Sequence, residues 1–509
     1  MTAATAAALT DERLEIALNK PRSPKAALIV GAAWTIAMRW SLRLIGFVST
    51  LLMARLLEPA DYGVVAMAML LVGLVQAFLD FGTATAILRK STVDRDYVDS
   101  AWTLRMLEQI TIAGIVALGA WPASLYFGEP RVSGVLWTVA GVIAVSSAGN
   151  IGSILAQKEM DFSVDFRINI YSKLLSVAVT VVAGYLLRDY RALVLGIACG
   201  YLSGLVWGYV LHPYRPRWNT KEIVEIWHTT KWLTFAGMAE FLLRKGDELA
   251  ASKLGTAQQF GLYHVGSDLG QLPTAEVGPA VLRAFLPVLS SIQDDAERAR
   301  RAVLKTVSAV NTLTMPIGII FSALAVPVVH IALGARWADA APYLACFSIV
   351  SLIQVLGRPL GTLLIIRGYT RQQSHVVWGE FIGFIAFSVL LVPAVGLLGL
   401  ALARICGSLV SLSLSLFLSR RLCQLSAAHF GLVLLRPLGA ALAAAAAATV
   451  ASGCFATAWL QLLAGSAAGG AVYIGLIMGS WVLAGRPEGL ESTALDYLRA
   501  VLRRTSRGV

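Results

Sequence analysis

Nine basic side chains stand inside stretches otherwise apolar enough to cross a lipid bilayer: Arg39, Arg43, Arg105, Lys173, Arg244, Lys245, Arg283, Arg358 and Arg404. A cation at the bilayer centre costs about 2.5–3.5 kcal/mol on the lenient insertion scale, so each needs an acidic partner, a wet cavity or a route to the interface. Lys173 and Arg105 lie within a turn or two of the expected cytoplasmic ends of their runs and read as side chains that snorkel outward. Arg39 and Arg43 are four apart, so they stack on one helix face, and that face continues to Gly46 and Thr50. A small, polar stripe of this kind faces the interior of a helix bundle; the blander alternative is that both arginines snorkel.

The seventh apolar run carries Glu240, Arg244, Lys245, Asp247 and Glu248. Glu240 to Arg244 and Arg244 to Glu248 are four-residue spacings, so a self-neutralising ladder competes evenly with a substrate or coupling role for this run. Arg283 follows Glu276 by two helical turns, and Arg358 and Arg404 stand in later runs with Glu380 between them. The expected interior holds more base than acid. A cationic cavity admits an anion, and a phosphate or pyrophosphate suits the planar fork of arginine. The candidate substrate-binding residues are therefore Arg39, Arg43, Arg244, Arg283, Arg358 and Arg404. Glu240, Asp247 and Glu380 are candidates to bind a coupling proton or sodium ion, although none stands in a readable motif.

The elements that must position these residues follow from composition. The 509 residues are 57% hydrophobic and 14% charged, with a mean hydropathy of +0.70. That leaves too little polar surface to cover a soluble globule. The expected fold class is an all-α polytopic membrane protein with about 14 transmembrane helices. Residues 1–25 form a cytoplasmic tail and 26–211 a first lobe, with spans near 28–54, 62–88, 101–127, 132–156, 168–187 and 191–211. Residues 212–229 are a linker, whose two prolines in His212-Pro-Tyr-Arg-Pro-Arg-Trp218 oppose a helix. A second lobe, 230–419, has spans near 230–253, 260–287, 303–327, 340–366, 375–395 and 397–419. An extra pair follows within 420–485, near 437–457 and 461–484, and 486–509 is a basic tail.

With the N-terminus inside, 27 of the 42 Lys and Arg residues fall in cytoplasmic segments and six on the opposite side. This asymmetry supports both termini being cytoplasmic, and it accounts for the +12 net charge without nucleic acid.

The two lobes read as one fold written twice. Ala54-Arg-Leu-Leu-Glu-Pro-Ala-Asp-Tyr-Gly-Val64 recurs 198 residues later as Ser252-Lys-Leu-Gly-Thr-Ala-Gln-Gln-Phe-Gly-Leu262, with Tyr62-Gly63 in register with Phe260-Gly261. Pro59 can open a helix, Asp61 suits its first turn, Gly255 can stop the helix before it and Thr256 can cap the next. Each copy is therefore expected to be a tight joint between antiparallel helices. Internal repeats in an apolar chain are a transporter signature.

No GxxxxGK[ST] loop, GxSxG elbow, HExxH or CxxC is present, which argues against an enzyme built on those motifs. No catalytic residue, cofactor, metal or disulfide is expected. A glycan polymerase or ligase would need a large outer loop, and all the expected outer loops are short.

The run Met53-Ala-Arg-Leu-Leu-Glu-Pro-Ala-Asp-Tyr-Gly-Val-Val-Ala-Met67, followed by Phe78-Leu-Asp-Phe-Gly-Thr-Ala-Thr-Ala-Ile87, resembles the start of bacterial polysaccharide flippases of the Wzx type. These belong to the multidrug, oligosaccharidyl-lipid and polysaccharide exporter superfamily. The resemblance implies translocation of an undecaprenyl-pyrophosphate-linked oligosaccharide across the bacterial inner membrane by alternating access, for lipopolysaccharide or exopolysaccharide biosynthesis. It also implies membrane lipids, a polysaccharide polymerase and chain-length machinery as partners. Carried over to this chain, the family's pyrophosphate contacts fall on Arg39 and Arg43, and less directly on Arg244, whose helix mixes acids with its bases. A drug exporter of the same superfamily is the alternative, but it would want an acidic cavity.

Overall fold

A computed structural model describes residues 24–90, 92–275, 296–423 and 427–483. The chain divides into two compact units, Met1–Gly261 and Leu262–Val509. In the first unit the helices are α1 (Pro24–Leu56), α2 (Pro59–Leu79), α3 (Thr83–Arg89), α4 (Arg95–Phe127), α5 (Arg131–Ser146), α6 (Gly152–Lys158), α7 (Phe162–Leu187), α8 (Arg191–Leu211) and α9 (Ile223–Leu254), and the unit takes in the first turn of α10 (Ala257–Ala275). The second unit continues with α11 (Ala296–Ala323), α12 (Ala325–Ala332), α13 (Ala341–Ile366), α14 (Thr370–Val395), α15 (Leu398–Cys423), α16 (Ala427–Gly453) and α17 (Ala458–Leu483). Among the described residues there is no strand, and 11 helical stretches are long and apolar enough to cross a membrane. The protein is an all-helical, multi-pass membrane protein. Three expected spans fall outside those 11. α5 is a 16-residue helix, α9 spreads Glu225, Lys231 and a charged C-terminal half along its length, and the expected span 260–287 runs past Ala275, outside the described residues.

Within the first unit, α7 packs along α1 and α8, α4 along α5, and α9 against α2, α3 and α4. Within the second, the main pairs are α14 with α15, α16 with α17, α13 with α15, and α11 with α13 and α16. Pro316 removes an amide from α11 and so frees the Thr312 carbonyl, which accepts the Tyr473 hydroxyl of α17 at 2.7 Å.

The two copies of the joint are built alike. Glu58 and Asp61 form a capping box at the start of α2, with Pro59 as its first residue, and the Glu58 amide donates to Asp61 Oδ2 at 3.2 Å. Gly255 ends α9; Thr256 and Gln259 then exchange bonds of 3.0 and 3.3 Å at the head of α10. The first turns of α2 and α10 cross at their glycines. A methyl on Gly63 would lie 1.7 Å from the Ala257 carbonyl oxygen, and one on Gly261 would lie 1.9 Å from the Pro59 carbonyl oxygen. Pro59 and Ala257 are equivalent positions, so the contact is reciprocal.

Two spans expected to be continuous are broken. The run 62–88 is interrupted between α2 and α3, where Gly82 adopts the left-handed conformation (φ 62°) and its amide donates to Asp80 Oδ1 at 2.8 Å. The run 132–156 is interrupted between α5 and α6, where the Gly152 amide donates to Asn150 Oδ1 at 2.7 Å. In both places a short side chain satisfies the backbone locally and competes with the helix.

Residues 212–222 form a strap laid on one face of α4. Tyr214 donates to Asp99 Oδ1 at 2.6 Å with both side chains buried, and the Arg217 amide donates to the same oxygen at 3.3 Å. Asn219 donates through its side chain to Asp96 (2.9 Å) and through its backbone to Thr103 (3.1 Å), and the Glu222 amide donates to Ser100 (3.2 Å). Positions 96, 99, 100 and 103 form one stripe of the helix, which is why four residues can hold one extended strap. Burial, reinforced by the bond to Asp99, pushes the Tyr214 hydroxyl far above its ordinary range.

Burial also lowers His212 to about 4, with nearby Arg215 acting in the same direction. Neutral His212 accepts the Tyr214 amide at 3.2 Å through Nδ1. Because the folded state holds this proton less tightly than the unfolded chain, its stabilisation is complete above pH 6.5 and is lost as pH falls toward about 4. The detergent-purified protein is expected to melt at a lower temperature at pH 4.5 than at pH 7. In His212→Asn, whose amide oxygen can accept the same bond, that difference shrinks. An unchanged difference would remove His212 as its cause.

Candidate substrate-binding site

The first unit gathers cations on α1, which carries no acidic residue. Arg39 is exposed and Arg43 half-buried, and the stripe they begin runs through Gly46 to Thr50, whose carbonyl accepts the Tyr62 hydroxyl at 3.3 Å. The Lys173 side chain, from α7, lies over Gly46: a methyl there would meet Lys173 Cε at 3.8 Å and Nζ at 3.9 Å. The side chain expected to snorkel toward an interface is therefore folded onto the middle of α1, one turn beyond Arg43. Gly46 leaves room for it. Arg39, Arg43 and Lys173 together furnish two guanidinium forks and an ammonium, a set suited to a phosphoryl anion.

α9 is different. Arg244 Nη1 lies 3.0 Å from Glu240 Oε1, both side chains being well exposed, so one of the two expected pairs forms. The other does not: Glu248 is engaged by Lys245 at 2.5 Å, three residues away on the helix. Asp247 is buried, with 3% of its surface exposed. Arg244 thus carries its own counter-charge, whereas α1 has none within the helix.

In the second unit Glu380 of α14 stands at a polar junction with α13 and α15. Glu380 Oε1 accepts from Gln354 Nε2 of α13 at 3.2 Å and from Ser408 Oγ of α15 at 3.3 Å. Arg404, one turn before Ser408, holds its guanidinium 5.7 Å from the Phe384 ring centroid, a cation–π distance. Arg358 follows Gln354 by one turn and is exposed. Gln354 and Ser408 escaped the sequence reading because a lone amide or hydroxyl in an apolar run carries no charge signal. Replacing Glu380 with Ala leaves both donors without their shared acceptor in a low-dielectric setting, and about 1–3 kcal/mol of stability should be lost. Glu380→Gln, which can still accept, should lose less; equal melting of the two variants would refute this junction. Arg283 and Glu276 lie outside the described residues.

Residues 52–342 match the model of a polysaccharide biosynthesis protein family. The lipopolysaccharide biosynthesis protein WzxC of Escherichia coli (strain K12) is 22% identical over 344 residues, covering 66% of this chain and 69% of that protein. The succinoglycan biosynthesis transport protein ExoT of Rhizobium meliloti (strain 1021) is 23% identical over 362 residues, covering 69% and 71%. Among solved structures, the lipid II flippase MurJ superposes with a TM-score of 0.67 at 12% identity, covering 89% of this chain and 100% of MurJ, which shows a shared fold. With the family match spanning more than half of its length, the chain belongs to this polysaccharide biosynthesis family of membrane proteins and shares the fold of MurJ.

Proposed function

We propose that this protein moves an undecaprenyl-pyrophosphate-linked oligosaccharide from the inner to the outer leaflet of a bacterial inner membrane, for surface or exopolysaccharide synthesis. The observation that carries the reading is α1, a spanning helix that carries Arg39 and Arg43 and no acid of its own, with Lys173 laid over Gly46. A pyrophosphate would meet the guanidinium forks while the lipid tail stays in the bilayer. The names of WzxC and ExoT, a lipopolysaccharide biosynthesis protein and a succinoglycan transport protein, support a polysaccharide precursor as cargo.

In this reading the protein is a carrier and not an enzyme. It crosses the membrane about fourteen times with both termini cytoplasmic, works by alternating access, and hands its cargo to a polymerase and chain-length machinery. Coupling to a proton or sodium ion would use acids such as Glu240, Asp247 or Glu380. Deleting the gene from its host is the test. The deletion should abolish the surface polysaccharide and leave a lipid-linked precursor in the inner leaflet, with drug susceptibility unchanged. A deletion strain that makes normal polysaccharide but becomes drug-sensitive would overturn the reading in favour of a drug exporter.

A further inference from the structure

α4 supports both helix breaks of the first unit, with opposite chemistry. At one break the Trp102 indole donates to the Gly149 carbonyl at 2.9 Å. At the other, Glu108 Oε2 accepts the Phe81 amide at 3.3 Å. The first support cannot titrate; the second can. Glu108 is 6% exposed, and its other oxygen has only the Gln109 side-chain amide, at 3.5 Å. A carboxylate so far from water holds its charge only through the donors around it. Here those donors are few and long, and the principal one is the backbone amide released where α2 stops.

The same break is tied from a second side. Thr234 of α9 donates to the Asp80 carbonyl at 2.7 Å, and Trp227 of α9 meets the Phe81 ring edge-on at 5.0 Å. The break is therefore a defined junction of α2, α4 and α9, with an ionisable group at its centre. Backbone amides left over where a helix is broken need other acceptors, and Glu108 supplies the one for Phe81.

We propose that Glu108 is a proton-binding site whose charge state controls the α2–α3 break. Ionised, it holds the Phe81 amide in a charge-assisted bond. On taking up H⁺ the bond becomes an ordinary neutral one, and the break loosens. The charged groups acting on Glu108 are Asp80 at the break and Arg105 one turn back on α4. Of the other elements packed against α4, α9 carries Glu225, His228 and Lys231 before Thr234, with Glu225 engaged by Lys90 at 2.9 Å; α3 carries Arg89, and α5 has no charge beyond Arg131. Charge on α3 follows the break, so proton binding here would move Arg89 relative to α4. The inference stands on this geometry and does not require the transport reading.

Hydrogen–deuterium exchange of the full-length protein in detergent tests it, read on the peptide spanning Phe81 from pH 5 to 9 and corrected for intrinsic exchange. In the wild type, corrected exchange should rise about tenfold at the acidic end, the scale on which charged and neutral hydrogen bonds differ. In Glu108→Gln, which keeps shape and an acceptor but cannot ionise, exchange should be fast and independent of pH. Asp80→Asn and His228→Asn should keep the wild-type dependence, and the Gly149–Gly152 peptide should show none. A flat wild-type profile, a Glu108→Gln profile that still varies, or loss of the dependence in Asp80→Asn or His228→Asn alone would overturn the proposal.

Discussion

Gly63→Ala and Gly261→Ala are each expected to remove the folded protein from the membrane. The added methyl carbon would stand 1.7 Å from the Ala257 carbonyl oxygen in the first case and 1.9 Å from the Pro59 carbonyl oxygen in the second. Neither obstacle is a flexible side chain that can swing aside. Each is backbone in the first turn of a capped helix, so relief requires shifting α2 against α10. Overpacking a core by a methylene usually costs about 1–3 kcal/mol, and a rigid overlap of this depth should exceed that range. Gly119→Ala is the control, since nothing lies within 4 Å of its added carbon. It should be neutral or slightly stabilising, because alanine in a helix interior gains about 0.5–1 kcal/mol over glycine. Membrane abundance and melting temperature of the three variants check the claim, and a Gly63→Ala protein that melts like Gly119→Ala would refute it.

The second large effect is functional. Arg39→Ala and Arg43→Ala should each lower polysaccharide export at least tenfold, while the protein still inserts and folds. A charge-assisted hydrogen bond is worth about 1.5–3 kcal/mol, and about 1.4 kcal/mol is a factor of ten, so losing one bidentate contact is enough. Membrane abundance and melting temperature should stay close to wild type, and export lost without a matching loss of folding separates a binding role from a structural one. Arg43→Lys keeps the charge without the planar fork and should retain intermediate export, and Lys173→Met should fall between it and Arg43→Ala. Both alanine variants exporting at the wild-type level would end the cationic-site mechanism.

The pair Glu240–Arg244 shows how far spacing alone reaches. Four residues on a helix place two side chains together whatever else surrounds them, and the 3.0 Å contact follows. Arg244 to Glu248 has the same spacing, but Lys245 competes for Glu248 and holds it at 2.5 Å. Spacing states which partners are possible; it does not choose among them. Lys173 is a sharper case. Its place near one end of an apolar run suggested a side chain escaping to the interface, and nothing within α7 indicates that Gly46 of another helix leaves a slot for it. Glu108 is an acid within an apolar stretch, a signal present in the sequence, yet its meaning depends on a helix break 27 residues earlier.

What the sequence by itself determined is local or compositional. The membrane class follows from hydropathy, and the repeated joint is visible because its parts act within four residues: Glu58 with Asp61, Thr256 with Gln259, Gly255 ending one helix. The stacking of Arg39 on Arg43 belongs to the same category, since helix geometry alone imposes it. Only the tertiary structure decided the rest: the reciprocal crossing of Gly63 and Gly261, Lys173 on Gly46, Tyr214 on Asp99 across 115 residues, and the Gln354–Glu380–Ser408 junction of three helices. The physical reason is that a glycine, a lysine or a buried carboxylate has no fixed role along the chain. Each acquires one from the group that packing sets within about 3–4 Å of it, where a hydrogen bond forms or a methyl fits.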